Sequence, residues 1–268
     1  MARDPAPSEA LQHLLEVMAA LRGPAGCPWD RAQTHESLLP YLVEEACEFI
    51  EAVETGDAAG LREELGDVLL QVVFHAQLAA ERGEFAFADV AAGLAAKLVE
   101  RHPHVFGDER YATAEEVHRS WNARKMQARS SHLEGIPAAL PALQQAGKVG
   151  ARAAQAGFEW GGTGEILDKI AEEVEELRAE IAAAEAAGDG SARAAAREME
   201  LGDLLFAVAQ LARWQRIDPE AALRRATRKF AARFRFMEER LRVRGADPAG
   251  QAAADWWALW REAKAAEP

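Results

Sequence analysis

The feature that most constrains this chain is an internal repeat built on acids. Leu42-Val43-Glu44-Glu45-Ala46-Cys47-Glu48-Phe49-Ile50 has a counterpart in Ile170-Ala171-Glu172-Glu173-Val174-Glu175-Glu176-Leu177-Arg178, and both contain Glu-Glu-x-x-Glu. Downstream of the first comes Glu64-Leu65-Gly66-Asp67-Val68-Leu69-Leu70, and downstream of the second comes Glu200-Leu201-Gly202-Asp203-Leu204-Leu205-Phe206. A third echo sets Lys97-Leu98 and Arg101 against Lys229-Phe230 and Arg233. Three matched blocks in one order indicate duplication of a supersecondary unit. Whatever the fold, it must place the same costly set of carboxylates twice.

The repeat reads as helical. Alanine is abundant and β-branched residues are sparse, which favours helix on side-chain entropy. Leu42, Ala46, Phe49 and Val53 recur at helical spacing, and Leu65, Val68, Leu69, Val72 and Val73 surround Asp67. Each copy is expected to be two antiparallel helices followed by a third, basic one, so the fold class is all-α. The second copy carries extra residues near Ala182 to Ala196, with a turn expected at Gly188-Asp189-Gly190. Pro137, Pro141 and several glycines mark a connector over about 130–164, with a helix inside it near Ala142 to Ala156. The expected domains are 1–135 and 136–268.

Glu-Glu-x-x-Glu alone is an ordinary solvated helix face, and so is Glu-x-x-Asp. The combination changes the reading. Glu45 and Glu48 share a face beside an apolar stripe, and Glu64 and Asp67 share a face of the partner helix. If the helices pack antiparallel, these four carboxylates converge. Clustered carboxylates at a core edge repel one another and need cations. Ligands that are all oxygen select a hard ion, Mg²⁺ or Mn²⁺, rather than zinc. The second copy gives Glu173, Glu176, Glu200 and Asp203 by the same logic. Gly66 and Gly202 recur inside the second acidic helix of each copy, where a glycine costs about 1 kcal/mol relative to alanine. Close approach of another helix is the expected reason.

The basic helices offer the opposite charge. Lys229 and Arg233 lie four apart with Arg225 and Arg228 nearby, and Lys97 and Arg101 take the analogous places in the first copy. Such side chains suit phosphate oxygens. Trp160, within Gly157-Phe158-Glu159-Trp160-Gly161-Gly162, and Trp260 are candidates for stacking on a base. The formal net charge of −13 repels nucleic-acid backbones. No apolar run reaches the length of a membrane span, and Met1 to Ala10 shows no export signal. Two cysteines, Cys27 and Cys47, do not make a disulfide framework, so a reducing cytoplasm is expected. A phosphate loop of the Gly-x-x-x-x-Gly-Lys-Ser/Thr type is absent. A di-iron bundle needs two Glu-x-x-His elements, and the sequence offers Glu115-x-x-His118 without a partner.

These motifs together resemble the MazG nucleoside triphosphate pyrophosphohydrolases. Further points of similarity are Gly26-Cys27-Pro28-Trp29-Asp30 with Gln33-Thr34, and Glu100-Arg101-His102-Pro103-His104-Val105-Phe106. Ile136-Pro137 with Leu140-Pro141-Ala142-Leu143, and the Gly157-Phe158-x-Trp160 turn, also fit. The resemblance implies two tandem all-α domains that build four-helix-bundle-like units on homodimerisation. It implies hydrolysis of a nucleoside triphosphate between the α and β phosphates, a house-cleaning activity on the nucleotide pool. Glu173, Glu176, Glu200 and Asp203 would hold Mg²⁺, and Glu172 or Glu173 would activate water. Lys169, Lys229 and Arg233 would contact phosphate, and Trp260 would lie against the nucleotide. The second copy is the expected main site. The alternative is a non-catalytic, nucleotide-sensing module.

Overall fold

The computed structural model of the chain describes residues 6–117, 120–121, 130–186 and 193–266, and among them every regular element is helical. Contacts divide the chain into two compact units, Met1–Trp121 and Asn122–Pro268. The first holds α1 (Pro7–Arg22), α2 (Pro28–Ala32), α3 (His35–Thr55), α4 (Ala58–Glu81), α5 (Phe87–Arg101) and α6 (Pro103–Phe106). The second holds α7 (Ala142–Gln155), α8 (Thr163–Ala186), α9 (Ala194–Trp214), α10 (Pro219–Val243) and α11 (Ala253–Ala265). The expected turn at Gly188-Asp189-Gly190, and His118 of the Glu115-x-x-His118 element, lie outside the described residues.

In the first unit a short turn makes the acidic hairpin. Thr34 caps α3, its hydroxyl accepting from the Ser37 amide at 3.2 Å. Gly56 ends α3 at φ +73°, a left-handed conformation that glycine adopts without a Cβ clash. Asp57 then caps α4, accepting from the Ala59 and Gly60 amides at 3.0 and 3.1 Å. So short a link leaves α3 and α4 as packed neighbours. Beneath them Met18, Leu38, Val73, Phe74 and Leu78 form the core, with Leu14, Leu15, Leu70 and Phe87 against it.

The apolar stripes are only half covered by their own unit. Val73 is 1% exposed, yet Val53 on α3 is 53% exposed and Leu65 on α4 is 51% exposed. Gly66 and Gly202 differ from expectation: a Cβ on either would meet nothing within 4 Å. Among the described residues no helix closes on them, because they sit beside exposed Leu65 and Leu201.

His35 and His75 join the start of α3 to α4. Their Nδ1 atoms lie 2.7 Å apart, so one ring donates to the other, and the rings are parallel within 3°. Burial, and after it the neighbouring His35, holds His75 below the ordinary imidazole range. Just below an ordinary value of about 6.5, the unfolded chain therefore binds a proton that the fold refuses. The stability from this pair is complete above that value and is lost as pH falls through it. Glu45 and Glu64 act with the opposite sign, since a carboxyl raised by desolvation weakens the fold as pH rises. Taken from about pH 7 to about pH 5, the urea midpoint of the first unit is expected to change less favourably in the natural chain than in His75→Gln, which lacks the histidine's loss. Equal slopes in the two proteins would refute the assignment.

The second unit repeats the hairpin as α8 and α9 and adds α7, which packs on both α9 and α10. Gly150 lets α7 close: a Cβ there would stand 1.7 Å from Gln210 Oε1. Gln210, 1% exposed, donates from Nε2 to the Ala146 carbonyl at 2.9 Å and accepts from Arg213 Nε at 2.9 Å. The Leu143 amide donates to Glu220 at 3.2 Å and ties the start of α7 to α10. Met237 and Leu241 of α10 pack with Leu259 and Ala263 of α11 in a separate core.

Candidate active site

The hairpin of the second unit carries Glu173 on α8 and Glu200 and Asp203 on α9. One carboxylate oxygen from each lies within 4.8 Å of the other two. Glu173 is 4% exposed, which is unusual for a carboxylate without full pairing. Its Oε1 accepts from Lys169 Nζ at 2.8 Å, while its Oε2 is buried and has no hydrogen-bond partner. Lys169, one turn earlier, also donates to Glu172 Oε1 at 2.8 Å. Glu172 first, and Glu173 after it, hold this ammonium well above the ordinary lysine range. Glu176 stays outside the converging set. Desolvation, then the charge of Glu173, raises its carboxyl above the ordinary range.

The first unit gives the same pattern with one difference. Glu45 and Glu48 of α3 meet Glu64 of α4, again with one oxygen each inside 4.8 Å. Glu64 Oε2 is buried and unpartnered, whereas in the other hairpin the buried unpartnered oxygen belongs to Glu173, which corresponds to Glu45. Asp67 stays outside this set but bears on it. Desolvation raises Glu45, and the charges of Asp67, Glu48, Glu64 and Glu44 raise it further. All four are acids. Where the second copy has Lys169, four residues before the central glutamate, the first has Tyr41.

Both sets suit a hard divalent cation. Their converging donors are carboxylate oxygens, with no sulfur or imidazole, and each set includes a buried oxygen that lacks a partner. An ion about 2.0–2.6 Å from each oxygen fits between donors so spaced. Without one, protonation offsets the repulsion among the acids, as Lys169 does in the second set.

The basic and aromatic candidates assemble on other elements. Arg233 of α10 places its guanidinium 5.0 Å from the ring centroid of Trp260 on α11. Trp260 also meets Phe230 at 5.3 Å, and Phe234 stacks on Trp256 at 5.6 Å. Together with Met237 and Trp257 these rings line a cavity of about 350 Å³. Lys229 is exposed on the same helix. Trp160 lies elsewhere, in a cavity of about 370 Å³ that it shares with Phe158, Phe206 and Gln210. In the first unit Lys97 is exposed on α5, and Arg101 lies 5.7 Å from the ring of Trp121. The reading of the sequence missed Phe230, Phe234 and Trp256. Their signal was present, since Phe230 and Phe234, like Trp256 and Trp260, are spaced by four.

The sequence pattern of the MazG nucleotide pyrophosphohydrolase domain matches this chain twice, over residues 33–106 and 163–235. The chain belongs to the MazG family. Each match spans one acidic hairpin and the basic helix after it, so the family pattern repeats where the geometry does. The chain is 46% identical to a nucleoside triphosphate pyrophosphohydrolase/pyrophosphatase MazG of Thermotoga maritima, covering 85% of each chain. It is 41% identical to a nucleoside triphosphate pyrophosphohydrolase of Escherichia coli K12, covering 96% of this chain and 98% of that one. No helix among the described residues is long and apolar enough to cross a membrane.

Proposed function

We propose that the second copy carries the main chemistry of a nucleoside triphosphate pyrophosphohydrolase, cleaving between the α and β phosphates to give a monophosphate and pyrophosphate. As a MazG-family member the chain is a hydrolase of this class. The observation that carries the assignment to these residues is the convergence of Glu173, Glu200 and Asp203, with Glu173 4% exposed and its Oε2 buried without a partner. Mg²⁺ or Mn²⁺ held by Glu173, Glu200 and Asp203, with Glu176 beside them, would neutralise charge on the phosphate oxygens. Glu173 is better placed as a ligand than as a base. Glu172, whose side chain is 56% exposed and bonded to Lys169, is left to orient the attacking water and take its proton. Lys169 has a third N–H for a phosphate, and Lys229 and Arg233 suit the pyrophosphate leaving group. The cavity walled by Trp260 suits the base. The substrate class is the nucleoside triphosphate pool of the cytoplasm, where two free thiols such as Cys27 and Cys47 persist.

A homodimer fits the outward apolar faces. Met199, Leu201 and Leu205 of α9 are 67%, 47% and 49% exposed, beside an open Gly202. A second copy laid on such hairpins would complete four-helix bundles, and the protein in solution is then expected at twice 29.2 kDa. The activity is tested by following products. With Mg²⁺ and a triphosphate, monophosphate and pyrophosphate are expected in equal amounts. Diphosphate with orthophosphate, or nucleotide binding with no turnover, would overturn the reading.

A further inference from the structure

The two acid sites are not equivalent, and the difference one turn before the central glutamate is a cation. In the second copy Lys169 Nζ bridges Glu172 and Glu173, at 2.8 Å from an oxygen of each. In the first copy the same place on the helix is Tyr41, and the charges acting on Glu45 are all acidic. Each hairpin otherwise carries the same five acids: Glu44, Glu45, Glu48, Glu64 and Asp67 in one, and Glu172, Glu173, Glu176, Glu200 and Asp203 in the other. A bare divalent cation gains most where the negative charge is least compensated. A cation already wrapped by a triphosphate is an anion overall, and it gains where a fixed positive group faces its phosphates.

We propose that Lys169 is a resident counter-cation that sets what the second site accepts, making it refuse free divalent metal and take the metal together with a triphosphate, while the first site takes the free ion. This rests on the metal-site reading above. Lys169 leaves the buried Oε2 of Glu173 without a partner, so it withholds attraction without occupying both ligand oxygens. It also spends two of its three N–H donors on glutamates and keeps one for a phosphate oxygen. Lys169 is thus a positioning residue for the metal ligand and a selector of the form in which the metal arrives.

The test separates this from a structural role, because its two effects have opposite signs. Use the full chain with Glu64→Ala, which disables the first site, and titrate Mn²⁺ alone. Then titrate Mn²⁺ with a triphosphate whose α–β bridging oxygen is a methylene, following bound ion by electron paramagnetic resonance. Lys169→Met is expected to tighten free Mn²⁺ about tenfold and to weaken the Mn²⁺–analogue complex by a similar factor. Lys169→Arg should keep the parent pattern. Tyr41→Lys in the otherwise natural chain should weaken free Mn²⁺ at the first site. Free-ion affinity that is unchanged or lowered in Lys169→Met overturns the inference. Glu200→Ala serves as the control: undiminished binding of the Mn²⁺–analogue complex there would instead overturn the metal site itself.

Discussion

Replacing Glu200 with alanine is expected to lower pyrophosphate release by about 10³-fold, while replacing Glu64 leaves most of it. The first figure follows from what the side chain holds. Glu200 supplies one of three converging oxygens in the second unit, and a metal at phosphoryl oxygens contributes several kcal/mol of charge stabilisation, about 4 kcal/mol being 10³ in rate. Glu173 would then face Asp203 with its buried Oε2 still unpartnered. The second figure follows from the missing cation. The first set is also three carboxylates, Glu45, Glu48 and Glu64, but Tyr41 stands where the second copy has Lys169, so no lysine or arginine of its first acidic helix faces a triphosphate. Steady-state rates at saturating Mg²⁺ and triphosphate check both, with the urea midpoint confirming that each variant is folded. Full activity in Glu200→Ala would remove the second set from the mechanism. A comparable loss in Glu64→Ala would make the two copies equal partners.

Much of this was legible in the sequence, and what was not has physical causes. The duplicated Glu-Glu-x-x-Glu and Glu-Leu-Gly-Asp blocks gave helices, hairpins and candidate acids, because helical spacing alone decides which residues share a face. They did not decide which three of four acids converge. Residues three apart on a helix still diverge by some 60°, roughly the offset left by 3.6 residues per turn. Glu173 can therefore point inward while Glu176 stands at the rim. The apolar stripe that includes Leu65 reads as core, yet a single chain leaves Leu65, and Leu201 in the second copy, half exposed. Periodicity reports that a face is apolar, not which molecule covers it. The bond between His35 and His75 and the contact of Gly150 with Gln210 join residues too far apart in sequence for any local pattern to show. Lys169 was singled out for phosphate, but its present partners are the acids of its own helix.

Gly150→Ala is expected to destabilise the second unit by about 2–4 kcal/mol, more than most single methyl additions. The added Cβ would stand 1.7 Å from Gln210 Oε1, far inside contact distance. Oε1 ends a flexible side chain, so on geometry alone it could swing aside. Here it cannot do so cheaply. Gln210 is 1% exposed, and moving it breaks its bonds to the Ala146 carbonyl and Arg213 Nε in a place water cannot reach. Arg213 in turn holds Glu159 with two bonds, at 2.6 and 2.8 Å, beside the Trp160 turn. The strain therefore spreads to both ends of the cavity that α7 and α9 enclose. A double-mutant cycle isolates the contact. Gln210→Ala should itself cost about 1–3 kcal/mol, since it removes a bond to the Ala146 carbonyl and one from Arg213 Nε in a buried place. Adding Gly150→Ala to it should then cost under about 1 kcal/mol, because the clash has gone and alanine favours helix over glycine. Unfolding midpoints in urea for the four proteins give the coupling directly. Strict additivity would mean that α7 and α9 do not meet at this point, and that the helix inside the connector is not built into the unit that carries Glu173 and Glu200.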